Sequence, residues 1–238
     1  MKIGFWGAGK MAQGIRAAIK KPHTVVMSSV EKNRNVEIAK TCELIFLAVR
    51  PGDVEAVAKE VKPYLKRGQT IVSICAGRKL EYLRREFGTK VRIIRVMPNL
   101  ALRVGAGMCA LTSHDKLVEA ILGGAGEVTV LPEKAFDAVT ALSGSGPAYF
   151  AYMAQAMMEG GVKLGLSPKV ARLLSEQTMY GTAKFLRESG MDLKEFIAGV
   201  CTKGGTTAAG MKHLDRPQFK KSVTATLEAA AKRSKELA

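Results

Sequence analysis

The feature that most constrains this fold is a change of pattern at Pro132. Before it, short apolar runs alternate with stretches of helical periodicity. After it no strand pattern remains, and glycine or proline punctuation separates helices alone. Alternation of the first kind predicts a parallel sheet joined by helical crossovers. Strands are expected at 3–6, 24–27, 44–49, 70–74 and 91–96, with 105–111 and 128–130 as candidate extensions. Helices are expected at 10–19, 54–61 and 80–87, then near 133–142, 148–164, 168–188, 192–200 and 217–237. The fold class is therefore α/β, with a sheet domain over 1–132 and an all-α domain over 133–238.

The chain has 238 residues, 47% of them hydrophobic, enough to bury one large or two smaller cores. No apolar stretch approaches the ~18–20 residues of a membrane span. Met1-Lys2 runs straight into an apolar strand, so the cytoplasm is the expected compartment. Cys42, Cys75, Cys109 and Cys201 are widely spaced and read as reduced thiols, and the three histidines lack ligand spacing, so no metal is expected. The net charge of +16 is dispersed, without the interleaved aromatics of a nucleic-acid binder, so no nucleic-acid partner is expected. Such a field would still attract a polyanionic dinucleotide and a small carboxylate.

Gly7-Ala8-Gly9-Lys10-Met11-Ala12 follows a predicted strand and opens a helix, the context that gives a G-x-G-x-x-[GA] run its meaning. Gly7 permits the tight turn, Gly9 lets the main chain approach a pyrophosphate, and Ala12 lets helix and strand pack closely. The first domain is thus expected to be Rossmann-like and to bind NAD(P). At the end of the second strand, where an acidic residue would select NAD, the chain places Ser28 and Ser29, then Lys32 and Arg34. Hydroxyls and cations suit a 2′-phosphate, which favours NADPH, while Glu31 keeps NADH open. Ala48, Val49, Arg50 and Pro51 close the third strand and Ala76 and Gly77 follow the fourth, so they should line the cofactor crevice.

Two further segments stand out. Ala141-Leu142-Ser143-Gly144-Ser145-Gly146-Pro147-Ala148-Tyr149 interrupts two helical stretches with residues that end helices, which should free main-chain N–H groups. Gly204-Gly205-Thr206-Thr207 offers N–H groups and hydroxyls suited to a carboxylate nest.

Taken in order, these segments, with Arg95-Val96-Met97-Pro98-Asn99 and Gly210, resemble the pyrroline-5-carboxylate reductases along nearly the whole chain. The serine–glycine break and the late Gly-Gly-Thr-Thr are the specific elements. The resemblance implies an NAD(P)H domain followed by a helical domain that interlocks with a second subunit, as a homodimer or a higher homo-oligomer. It implies NADPH-dependent reduction of 1-pyrroline-5-carboxylate to L-proline. It also implies Asn99 at the cofactor, Ser145, Gly146, Gly204 and Gly205 at the substrate, and Ser143, Thr206 and Thr207 in catalysis, with both threonines also binding substrate. This chain departs from the family's usual pattern with Leu100-Ala101 after Asn99 and with Thr202-Lys203 before Gly204. A relative reducing another cyclic imino acid, or a non-catalytic NADP-binding regulator, is the alternative.

Reduction of a protonated cyclic imine needs positioning more than acid catalysis, since the C=N carbon is already electrophilic. Ketone-reducing β-hydroxyacid dehydrogenases of similar layout need a lysine four residues beyond the second glycine of their equivalent motif. Here that position is Phe150, and no lysine occurs between 135 and 161.

Overall fold

A computed structural model describes residues 1–237. The first compact unit comprises Met1–Pro147 and the end of the chain from Leu227, and the second is Ala148–Thr226.

The first unit is built on seven strands in the order β2-β1-β3-β4-β5-β6-β7. They are β1 (Lys2–Trp6), β2 (Thr24–Ser28), β3 (Leu44–Leu47), β4 (Thr70–Ser73), β5 (Arg92–Pro98), β6 (Gly107–Leu111) and β7 (Gly126–Val130). Strands β1–β5 are mutually parallel; β6 turns antiparallel against β5, and β7 lies parallel to β6. The sheet is thus parallel with one antiparallel joint, and both candidate extensions are strands. β1, β3 and β4 are buried almost without interruption, as expected of strands covered on both faces.

Helices α1 (Lys10–Ala18), α2 (Asn35–Thr41), α3 (Val54–Val61), α4 (Leu80–Phe87) and α5 (Lys116–Gly123) supply that cover. One core layer joins Trp6, Val26 and Ile45 to Ile38, Val57 and Leu83 of α2–α4. The other joins Ile3, Phe5 and Phe46 to Ile15 of α1 and Val118, Ile121 and Leu122 of α5. Phe5 stacks on Phe46 in one layer and Trp6 on Phe87 in the other, with ring centres 4.8 and 5.7 Å apart. A six-stranded dinucleotide-binding sheet has a strand outside its second. Here β2 is the edge, and the chain returns to β3 through α2 alone.

Past Pro132 a 3₁₀ turn (Glu133–Ala135) and α6 (Phe136–Val139) lead into a π-helical turn, Thr140–Gly144, and then α7 (Gly146–Lys163). The Ser145 N–H donates to the Thr140 carbonyl at 2.8 Å, five residues back. The expected helix break is therefore a widened turn that keeps the helical path, and the N–H of Ser145 is not free. Gly144 explains the placement: a Cβ there would lie 2.4 Å from Met97 Cε of β5.

The second unit carries most of α7, then α8 (Pro168–Ser189), α9 (Leu193–Val200), α10 (Thr206–Leu214) and the first half of α11 (Pro217–Glu236). Among its described residues only Ala154, Ala171 and Ser175 are buried. Phe150, Tyr152, Leu173, Tyr180 and Leu193 are each 60% exposed or more in the single chain. Helix α10 was not among the expected helices, because Gly210 in its middle and the glycines before it mask its period.

Candidate functional site

The crevice at the carboxyl ends of the parallel strands is assembled from strand-to-helix turns of the first unit. At β1 the chain turns through Gly7, whose φ of +106° suits glycine and whose added Cβ would fall 2.4 Å from the Ala48 carbonyl oxygen. Gly7 therefore serves the close packing of two strand ends. Gly9 differs: it is the N-cap of α1 with ordinary extended dihedrals, and beyond its two chain neighbours no atom of the described residues lies within 4 Å of where its Cβ would sit. No side chain caps α1 and its first turn has no acid, so the first-turn N–H groups have no side-chain partner, and Gly9 and Lys10 at the helix start are exposed. That is a built anion seat, and a dinucleotide's pyrophosphate fits it. Ala12 is fully buried against the sheet, as its role in close helix–strand packing requires.

The neighbouring turns are tied to one another. Cys75, buried below β4, directs its thiol at the carbonyls of Leu47 and Val49 at 3.5 and 3.3 Å. Burial pushes this thiol up to about 11, so it stays protonated and acts as a donor that fixes the end of β3. The sequence marks Cys75 as a reduced thiol in the segment that closes the fourth strand; its positioning role depends on register between β3 and β4. Arg50 leads into a 3₁₀ turn begun by Pro51, and the Pro51 carbonyl accepts from Arg78 Nε at 3.0 Å. Ala76 and Gly77 follow β4, with Gly77 at φ +71° against the main chain of Leu237. Asn99 caps the 3₁₀ turn Leu100–Val104, and its Oδ1 accepts from the Met108 N–H at 3.2 Å. Leu100 is half exposed at this point, and Ala101 lies beside it in the same turn.

Ser28 ends β2 and Ser29 follows it. Their hydroxyl oxygens accept from the N–H groups of Arg34 at 2.9 Å and Lys32 at 3.1 Å, which leaves each O–H available to donate. Ser28 is buried, Ser29 half-buried.

The π-turn stands in the same unit, at the end of β5. Ser143 Oγ is buried there without a hydrogen-bond partner among the described residues, an expensive state for a hydroxyl unless a ligand completes it. Ser145 is half-buried, and buried Gly146 opens α7. Arg95 of β5 holds the head of this segment: its Nη1 meets Glu133 Oε1 at 2.6 Å, and its guanidinium lies over Phe136. The same Glu133 oxygen accepts from the Leu80 N–H at 2.7 Å. Arg95 in the motif is thus a brace.

The second unit carries the other predicted group. Gly204 adopts φ +76°, Gly205 is the N-cap of α10, and Thr206 and Thr207 form its first turn with no side-chain cap and no acid. A Cβ on Gly205 would meet Thr202 Oγ1 at 2.4 Å, so Thr202 presses on this turn, while Lys203 is exposed. The predicted nest is therefore the N-terminus of a nine-residue helix, with partial positive charge to add to its N–H groups.

A glycine turn opening an uncapped helix on a doubly wound sheet, followed by a helical half, is the layout of an NAD(P)H-dependent oxidoreductase with an α-helical assembly region. Residues 133–237 match the family model for pyrroline-5-carboxylate reductase dimerisation, and residues 2–77 match that for NADP oxidoreductase, coenzyme F420-dependent. The chain is 35% identical to pyrroline-5-carboxylate reductase 3 of Danio rerio, over all of this chain and 91% of that one. The solved pyrroline carboxylate reductase of Plasmodium falciparum, with NADP bound, is 31% identical with a TM-score of 0.85, covering 100% and 98% of the two chains. The Coxiella burnetii pyrroline-5-carboxylate reductase gives a TM-score of 0.91 at 28% identity over 99% and 98%. The chain belongs to the pyrroline-5-carboxylate reductase family.

Proposed function

We propose that this chain reduces 1-pyrroline-5-carboxylate to L-proline with NADPH, as a homo-oligomer assembled through residues 133–238. The observation that carries the reading is the uncapped N-terminus of α10 beneath Gly204, Gly205, Thr206 and Thr207, in a chain whose full length is related to reductases of this substrate. The two halves divide the work. The N-terminus of α1, with Gly7, Ala8, Gly9 and Lys10, seats the pyrophosphate, and the turns at Ala48, Val49, Arg50, Pro51, Ala76, Gly77 and Asn99 border the rest of the cofactor. When bound, NADPH supplies the reducing equivalent. The N–H groups of α10's first turn and the Thr206 and Thr207 hydroxyls hold the substrate carboxylate, with Lys203 adding charge at the rim. The imine arrives protonated, so no side chain has to deliver a proton during reduction. Ser143 Oγ, buried and unpartnered, is free to bond the bound ligand, and Ser145 and Gly146 shape the wall beside it.

Assembly follows from the second unit, which exposes large apolar side chains on several helices and buries almost nothing of its own. A homodimer, or a higher homo-oligomer, covers those faces. No helix among the described residues is long and apolar enough to cross a membrane. A cytosolic setting without nucleic-acid partners belongs to the same proposal, supported by the buried free thiols of Cys42, Cys75 and Cys109 and by the dispersed positive charge.

The test is NADPH consumption by the intact chain with five- and six-membered cyclic imino acids, for the wild type and for Thr207→Val. The five-membered substrate should be preferred. Loss of one charge-assisted hydrogen bond should lower kcat/KM by roughly ten- to a hundredfold without changing NADPH affinity. Turnover of the six-membered ring alone would reassign the substrate, and a Thr207→Val enzyme with unchanged kcat/KM would remove the carboxylate from α10.

A further inference from the structure

The loop leaving β2 carries the groups that would meet the far end of a bound dinucleotide, and most of them are committed elsewhere. The Gly7 N–H donates to the Ser28 carbonyl at 3.2 Å, so the loop starts against the glycine turn. In sheets of this type the ribose that can bear a 2′-phosphate lies over the end of the second strand. Asn33 and Asn35 donate their side-chain amides to Glu60 of α3 at 3.1 and 2.8 Å. Arg34 is gripped on two prongs by Glu37, with Nε–Oε2 and Nη2–Oε1 both 2.6 Å. Lys2 approaches the same carboxylate at 3.8 Å. The shared hydrogen bonds hold the Glu37 carboxyl below its usual range and the Arg34 guanidinium above its own, so the pair stays ionised. Lys32 is exposed, and among the described residues only its main-chain groups are bonded.

We propose that Glu37 sets the cofactor preference of this chain by pinning Arg34, so that Lys32 and the hydroxyls of Ser28 and Ser29 receive the 2′-phosphate in its place. The sequence alone made Lys32 and Arg34 equivalent candidates; the structure separates them. A guanidinium in a two-pronged carboxylate pair has already used the fork that recognises phosphate. Swinging it out would strand the Glu37 carboxylate beside a phosphate dianion, and like charges at that range repel. Lys32 brings a flexible, hydrated point charge that attracts the phosphate with little geometric demand. The preference for NADPH over NADH is then modest, on the order of tenfold, and Glu37 is what keeps it so. The truncated β2–β3 connection contributes, because no outer strand supplies further groups at this end. The inference rests on the glycine turn being the dinucleotide seat.

Titration of the full chain with NADPH and with NADH tests it, using the wild type, Lys32→Ala, Glu37→Gln and the double variant Arg34→Ala/Glu37→Gln. Lys32→Ala should weaken NADPH about tenfold and leave NADH within about twofold. Glu37→Gln, which removes the carboxylate and releases the guanidinium, should tighten NADPH about tenfold with NADH unchanged. The double variant, which deletes the pair without changing net charge, should return NADPH to the wild-type value. A double variant that loses NADPH affinity while keeping NADH would show that Arg34 reaches the phosphate, and the proposal would fail. An unchanged NADPH/NADH ratio in Glu37→Gln would also overturn it. Should either loop variant unfold, the exposed Lys32→Ala still decides: retained NADPH affinity refutes the assignment. A wild-type chain that binds neither dinucleotide would sink the reading of the glycine turn itself.

Discussion

Two glycines two residues apart should fail in opposite ways when given a methyl group. At Gly9 the position of an added Cβ has no protein atom within 4 Å beyond its two chain neighbours, and φ −69°, ψ 177° is backbone that alanine adopts freely. Gly9→Ala gains roughly 0.4–1 kcal/mol from a stiffer unfolded chain and gives back a similar amount because alanine is a poorer N-cap than glycine. The net change in stability is about zero. The methyl group, however, stands where the pyrophosphate must approach the N–H groups of α1. Losing two charge-assisted hydrogen bonds there costs about 3–6 kcal/mol, or roughly a hundred- to ten-thousandfold in affinity. Gly7→Ala meets the reverse situation: φ is +106° and the Cβ falls 2.4 Å from the Ala48 carbonyl oxygen, an atom of the main chain that cannot step aside. Backbone strain plus overpacking should cost about 2–5 kcal/mol of folding stability. Denaturant unfolding read beside NADPH fluorescence titration distinguishes the two. A Gly9→Ala protein that binds NADPH like wild type would refute the placement of the pyrophosphate at α1. A Gly7→Ala protein of unchanged stability would refute the close packing of β1 on the end of β3.

Ser143→Ala deletes a buried hydroxyl that has no protein partner, so stability should hold or rise by about 1 kcal/mol while kcat/KM falls; equal activity would make Ser143 a packing residue, and thermal melts with the imine assay read both. Cys75 and Cys109 are each pushed by burial from 9 up to about 11. Their unfolded thiols therefore release protons from pH 9 upward while the folded ones hold theirs, the unfolded state binds fewer protons in that window, and stability falls between pH 9 and 11. The loss is on the order of 3 kcal/mol per thiol. Unfolding curves across that range should show a steeper decline for wild type than for Cys75→Ala/Cys109→Ala, and parallel declines would contradict the assignment.

Local patterns were legible wherever one short segment carries the whole signal. The strands that build the sheet are apolar runs, and the helices at Val54–Val61 and Leu80–Phe87 lie where their period places them. The glycine turn before α1 is legible because glycines, a helix start and missing acids sit within a few residues of one another, whereas Gly204 to Thr207 shows only its glycines and hydroxyls. What the sequence could not decide depends on partners distant along the chain. Seven residues of α2 were too short to show a period, and α10 hid behind its glycines. The run of Ser143 to Gly146 advertised a broken helix, yet contact with Met97 and the five-residue hydrogen bond of Ser145 made it a widened turn. Cys75 became a fixed donor only once β3 and β4 were in register.

By itself the sequence determined the class of fold, a sheet followed by helices, and the glycine turn that opens α1, because periodicity and glycine chemistry act over a few residues. Tertiary structure alone decided which charges are spent across long stretches of chain. Arg95 and Glu133 lie 38 residues apart in the sequence; only the packing of the turn at Glu133 against β5 brings Arg95 Nη1 within 2.6 Å of Glu133 Oε1 and makes the two a paired ion. Charge is a property of the residue, but its availability is a property of the distance to its neighbours, and only the fold sets that distance.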